Sequence, residues 1–163
     1  MDTLDAHKIR HIVNCQGLDS ENYHENNDEF TYLRFPVGVA AYCSPFDINT
    51  HTGIVRYFNV FFDFVEQIMK EGKNVLIHCL AGAHRAGTTG VAWLMHANNM
   101  GVEDAIKLGQ SRRDAINPIG NFPELLHKLR NGLNEEGTLE KVRSSVNVQD
   151  DVRAIHQAAV EYG

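Results

Sequence analysis

Apolar positions change period several times along the chain, and each change marks an element. Ile9 to Cys15 (IRHIVNC) is short and β-branched, and Phe30 to Val37 (FTYLRFPV) alternates up to a proline, so both predict strands. The stretch between them, DSENYHENNDE, is polar and turn-rich, which predicts a surface loop. From Gly53 to Lys70, Ile54, Phe58, Phe61, Val65 and Ile68 recur at helical spacing, predicting a long helix stopped by Gly72. NVLIHC (Asn74 to Cys79) then predicts a buried strand.

Beyond Arg85, AGTTGVAWLMHANN has the apolar density of a core helix that stops near Gly101. GVEDAIKLGQSR predicts a shorter helix. NFPELLHKLRNG predicts another, with Asn121 as N-cap, Pro123 in its first turn and Gly132 past its end. Strands alternating with helices predict an α/β fold, with a central mostly parallel sheet flanked by helices on both faces. In such folds ligands sit beyond the carboxyl ends of the strands, where Cys79 lies. The chain divides into a domain over residues 1–132 and a tail over 133–163. The tail opens polar and then places Val148, Val152, Ile155, Ala159 and Tyr162 on one stripe of an amphipathic helix. That stripe suits docking on the domain's own core; a partner surface, or the edge of a longer parent protein, is the other reading.

Composition narrows the function classes. The formal net charge of −6 over 163 residues leaves no basic field to gather nucleic acid or an anionic membrane, so any anion must be bound locally. MDTLDAHKIR is charged rather than apolar, so no secretory leader is expected there, and no apolar run approaches a membrane span. The three cysteines, Cys15, Cys43 and Cys79, are odd in number and widely spread. They suit a reducing compartment, the cytoplasm or the nucleus, better than a disulfide framework.

The chemistry concentrates between Cys79 and Arg85. Small residues at Ala81, Gly82, Ala83, Ala86 and Gly87 let the backbone curl closely around a guest with N–H groups pointing inward. The helix that follows adds the positive end of its dipole, which favours negative charge in the loop. Arg85 supplies a permanent charge and a planar fork able to grip two phosphoryl oxygens, which a lysine could not reproduce. A thiol nucleophile and a charge clamp on one loop suit attack on a bound phosphoester.

HCLAGAHRAGTT resembles the His-Cys-x-x-Gly-x-x-Arg signature loop of the protein tyrosine phosphatase superfamily. YLRFPV upstream, the Phe-rich helix before NVLIHC, and SRRDAINPIGNF downstream resemble its dual-specificity branch, over roughly Ile9 to Gly132. The resemblance implies a two-step reaction without metal or other cofactor. Cys79 attacks phosphorus to give a phosphocysteine, an Asp protonates the leaving oxygen, and water releases phosphate. Leu80, Ala81, Gly82, Ala83, His84 and Arg85 would hold the phosphoryl group, and His78 would steady the loop from behind. For the acid, the resemblance points to Asp47, the only carboxylate between Glu29 and Asp63; the other reading makes Asp47 the N-cap of a turn before the long helix.

The pattern departs from the family at Ala86, where most relatives carry a Ser or Thr that hydrogen-bonds the cysteine sulfur. An active but modest phosphatase is the expectation. The loop brings no Lys to meet a polyanionic headgroup, so the expected partner is a phosphorylated protein carrying phosphotyrosine or phosphoserine/threonine. Arg112 and Arg113 could meet a second phosphate at the rim or remain solvated. Cys43 reads either as a structural thiol or as a reversible disulfide partner for Cys79. The rival functions are a phospho-residue binding module with stalled chemistry and a rhodanese-like sulfur transferase. Composition and spacing do not fix the oligomeric state.

Overall fold

Three parallel strands frame the molecule in this computed structural model, which describes residues 2–162. After a short helix α1 (Asp2–Ala6), β1 (Ile9–Asn14) runs through the centre, with β2 (Thr31–Arg34) on one side and β3 (Asn74–His78) on the other. Val13 pairs with Leu33 and Ile77, and Asn14 with Arg34 and His78. The two sets of partners point to opposite faces. Val13, Leu33 and Ile77 face the helical core. Asn14 and Arg34 instead reach the polar loop: Asn14 Nδ2 donates to Asn22 at 3.0 Å, and Arg34 donates to the carbonyls of Gly17 and Ser20 at 2.5 and 2.8 Å.

The helix expected from the Phe-rich period is α2 (His51–Lys70), capped by Thr50, whose hydroxyl accepts the Gly53 N–H at 3.0 Å. Its Tyr57, Phe58, Phe61 and Phe62 are fully buried. Phe35 packs into this cluster, with ring centroids 4.8 Å from Tyr57 and 5.5 Å from Phe61. β2 is therefore shorter than the alternating pattern predicted. Phe35 is drawn into the core, Pro36 can donate no ladder bond, and the chain turns into a single 3₁₀ segment over Val37–Tyr42.

α3 (Arg85–Asn98), α4 (Val102–Arg112) and α5 (Phe122–Asn134) follow β3. Gly132 was expected beyond the last of these, but it lies inside it. A Cβ there would stand 2.8 Å from Val55 Cγ2 and 3.0 Å from the His51 carbonyl, so this glycine serves the close crossing of α5 over α2 rather than termination. The polar opening of the tail folds into α6 (Thr138–Ser145), and α7 (Val148–Tyr162) ends the chain. Val142, Ile155 and Ala158 join the main core cluster. Asp151, buried, takes a bidentate pair of bonds from Arg56 of α2 at 2.6 and 3.1 Å. Among the described residues no helix is long and apolar enough to cross a membrane.

Candidate active site

β3 delivers His78 and Cys79 to the carboxyl edge of the sheet, and α3 starts at Arg85, so the intervening residues form a strand-to-helix loop. Gly82 sits at φ +70°, a left-handed conformation that only glycine adopts without strain, and it turns the loop back on itself. The outside of the loop is fastened to the segment after α4. Arg113 Nη2 donates to the Ala81 carbonyl at 3.4 Å, and the Asn117 N–H donates to the Ala83 carbonyl at 3.0 Å. The His84 ring Nδ1 bonds the Asn117 carbonyl at 2.7 Å.

These outward carbonyls orient the loop's donors. In a planar trans peptide the N–H points opposite to the C=O. With the Ala81 and Ala83 carbonyls held outward, the Gly82 and His84 N–H groups face the other way. Among the described residues, the N–H groups of Leu80 through His84 donate to no protein acceptor. They are free donors just ahead of a helix N-terminus, an arrangement that attracts an anion.

A depression of about 420 Å³ lies along the free edge of β3 on the loop's outer side; Cys79, Leu80, Gly82 and Arg113 line it with Leu76, Gly87 and Ile116, and Arg85 does not. Leu80 is 86% exposed, so the rim beside the thiol is apolar. His78 is half-buried, and burial pulls its ring below the ordinary histidine value. A hydrogen bond to the Cys79 backbone opposes that shift, and the charge of Arg34 reinforces it. The ring thus stands against the Cys79 peptide. Arg85 leaves the first turn of α3 toward the 3₁₀ segment, where a Cβ on Gly38 would lie 3.9 Å from its Cδ.

Asp47 lies three residues before Thr50, the cap of α2. It is exposed in the turn before α2, where its carboxylate accepts the Asn49 N–H at 3.1 Å and its carbonyl accepts the Thr50 N–H and hydroxyl. Gly38, which adjoins the Arg85 side chain, belongs to Val37–Tyr42, a segment without a carboxylate. Ala86 is buried and offers the thiol no donor. The two threonines that follow do not replace it, because Thr88 Oγ1 donates to the His84 carbonyl at 2.7 Å and Thr89 Oγ1 to the Arg85 carbonyl at 3.0 Å.

Two features escaped the reading of the sequence. Cys43 packs under α7, with its sulfur 3.7 Å from the Ala154 carbonyl, while Cys15 lies directly beneath the loop, its N–H donating to the His78 carbonyl at 2.8 Å. A signal for this was present, since a cysteine directly follows both the first and the third strand. The other is the role of Asn117 and Arg113 as the outer fastening of the loop; nothing in local periodicity marks them.

Comparison with known proteins agrees with this geometry. The family model for the dual specificity phosphatase catalytic domain matches residues 1–131. The tyrosine-protein phosphatase vhp-1 of Caenorhabditis elegans is 35% identical over 142 residues, covering 87% of this chain and 20% of that protein. Human dual specificity protein phosphatase 1 is 30% identical over 121 residues, covering 74% of this chain and 30% of that protein. The chain therefore spans less than a third of the length of these relatives. Among solved structures, DUSP15 superposes with a TM-score of 0.64 at 23% identity, over 90% of this chain and 85% of its own. The human tyrosine phosphatase-like serine/threonine/tyrosine-interacting protein superposes with a TM-score of 0.57 at 24% identity, over 80% and 82%.

Proposed function

The chain belongs to the dual specificity phosphatase family, and from that premise we propose that it hydrolyses phosphate monoesters on phosphorylated proteins through a phosphocysteine at Cys79. The observation that supports this is the run of free N–H groups between Cys79 and Arg85, those of Gly82 and His84 turned inward by the outward bonds of Ala81 and Ala83. The phosphoryl oxygens take those donors and the Arg85 fork, which places phosphorus over the Cys79 sulfur. The thiolate attacks in line, the leaving oxygen departs with a proton, and water then cleaves the phosphorus–sulfur bond. Leu80, Ala81, Gly82, Ala83 and His84 supply backbone to the bound group, and His78 holds the Cys79 peptide in place. Asp47 is the proposed proton donor. It faces solvent and bonds only within its own turn, which leaves its second oxygen free.

The apolar rim at Leu80 and the absence of Lys from the loop favour a phosphorylated protein over a polyanionic headgroup. Three free thiols suit a reducing compartment, cytoplasm or nucleus. Residues 1–132 act as the catalytic unit, and residues 133–163 brace it through α6 and α7.

A second reading, a phospho-residue binder with stalled chemistry, draws on Ala86, which offers the thiol no donor, and on an Asp47 bonded within its own turn. Hydrolysis of an aryl phosphate separates the two. The phosphatase reading expects turnover that vanadate blocks, chelators leave alone and Cys79→Ser abolishes. Retained phosphopeptide binding with no turnover would establish the binder instead.

A further inference from the structure

β3 is the outermost strand on its side of the sheet, in the order β2-β1-β3. Along a ladder, successive residues turn their N–H and C=O groups to alternate sides. The His78 carbonyl takes the Cys15 N–H at 2.8 Å, so His78 and Leu76 turn their groups to β1, and Val75 and Ile77 turn theirs outward. Among the described residues no loop backbone meets those outward groups.

The edge is also apolar. Open edges are ordinarily protected by charged side chains or prolines, and Asn74–His78 carries neither. Lys73, just before the strand, is tied to Glu71 at 2.6 Å. Val75, Leu76 and Ile77 are only half-buried, whereas Ile12 and Val13 beside them on β1 are buried. Two depressions follow the edge: the one on the loop's outer side, and one of about 460 Å³ lined by Met69, Lys73, Val75 and Trp93, with Ile77 bordering both. Between them on α3 stands Gly90, where a Cβ would meet nothing within 4 Å. A glycine inside a helix costs stability against alanine, and no contact within the chain calls for this one.

This edge is complementary to itself. Turned about a two-fold axis through Leu76, it meets a second copy as an antiparallel strand, with Val75 opposite Ile77, Leu76 opposite Leu76 and Asn74 opposite His78. Val75 and Ile77 both turn their groups outward, so they form the pair that exchanges both hydrogen bonds. A shift by one residue would set outward groups against inward ones. This register pairs all 5 residues of β3. It also carries the exposed Leu80 to Gly72 and the exposed Met69 of the second copy, and Gly72 has open space beside it. No Asp, Glu, Lys or Arg lies in Asn74–His78, so two copies meet along the strand without burying a charge. We propose that the free edge of β3 is the interface of a symmetric homodimer, in which β3 pairs antiparallel with β3 of a second copy and the two sheets become one.

The test is sedimentation equilibrium of the whole chain up to about 100 μM, a range that reveals micromolar dissociation constants. A monomer–dimer equilibrium is expected. Leu76→Lys sets like charges directly opposite each other and should weaken the dimer by about tenfold or more, with the circular dichroism unchanged. Leu76→Cys in a Cys79→Ser background reads the register. Cα atoms of a non-hydrogen-bonded antiparallel pair lie about 4.5 Å apart, within reach of a disulfide, so mild oxidation should link two copies through residue 76. Val160→Cys, exposed on α7, should give no such link. A chain monomeric throughout the range would overturn the proposal and leave the edge to a strand of another protein. So would a dimer indifferent to Leu76→Lys, or copies that link equally well through residue 160. Should Leu76→Lys misfold, the wild-type mass and the cross-link decide.

Discussion

The loop from Cys79 to Arg85 and the segment from Val37 to Thr50 sit on two sides of Arg85, and they are built in opposite ways. The first is fixed by its own backbone. Its Ala81 and Ala83 carbonyls are tied outward to Arg113 and Asn117, its ends are a strand and a helix, and its N–H groups are free. The second is held by what packs on it: the Tyr57 hydroxyl on the Pro36 carbonyl, the Cys43 sulfur on Ala154, and the Tyr42 ring stacked on Tyr162 of α7. Its only carboxylate is Asp47, committed through its first oxygen to a cap-like turn. The half to which the proposed mechanism assigns binding and attack is preorganised, and the half to which it assigns proton delivery is not. The two steps should therefore respond separately to mutation.

Arg85→Lys strikes the preorganised half and carries the largest expected effect. It removes a bidentate grip on charged oxygens, each bond being worth about 1.5–3 kcal/mol, so kcat/KM on aryl phosphate should fall by about 10³-fold. A loss under tenfold would mean that the free N–H groups do the holding alone. Asp47→Asn strikes the other half. General acids contribute roughly 10²–10⁴-fold, so turnover of poor leaving groups such as phosphoserine peptides should drop by about 10²-fold while aryl phosphate is little changed. Equal losses on both would remove Asp47 from the acid role.

Ala86→Ser tests the departure from the family within the preorganised half. A restored donor to the Cys79 sulfur, at about 1.5 kcal/mol, should speed the slow step roughly tenfold. Unchanged burst and steady-state rates would show that the missing hydroxyl is irrelevant here. The smallest effect concerns the support behind α3. Although burial opposes it, hydrogen bonds from His96 of α3 and Arg143 of α6 hold the Glu66 carboxyl below its ordinary value of 4.5. A carboxyl lowered in the fold stabilises above that ordinary value and loses its contribution as the pH falls through the folded one. Glu66→Gln should flatten the acid limb of the stability curve by about 1 kcal/mol, read by denaturant unfolding between neutral pH and pH 4; parallel curves would deny the network a role.

Much of this was legible beforehand because periodicity reports local burial. Ile54, Phe58, Phe61, Val65 and Ile68 marked α2, and an apolar run ending on His78–Cys79 marked the strand that presents the thiol. What periodicity missed was set by contacts distant in sequence. Gly132 looked like a helix stop, yet the crossing with Val55 requires it inside α5. Phe35 looked like the next strand residue, yet the aromatic cluster of α2 ends β2 before it. The short α6 buries Val142 and Thr138 among charged residues, too few to show a stripe. Within the site, Cys79, Arg85 and their small neighbours were readable because seven consecutive residues contain them. The fastening roles of Asn117 and Arg113 and the place of Cys15 were not, because only the fold brings them to the loop.

The most direct test of the account is acid quenching during the first turnovers of a labelled aryl phosphate, followed by mapping of the label. The account predicts a burst of phosphorylated protein with the phosphate on Cys79, absent in Cys79→Ser. A chain that binds the phosphate analogue at this loop, yet carries no label on Cys79 at any time, would contradict it.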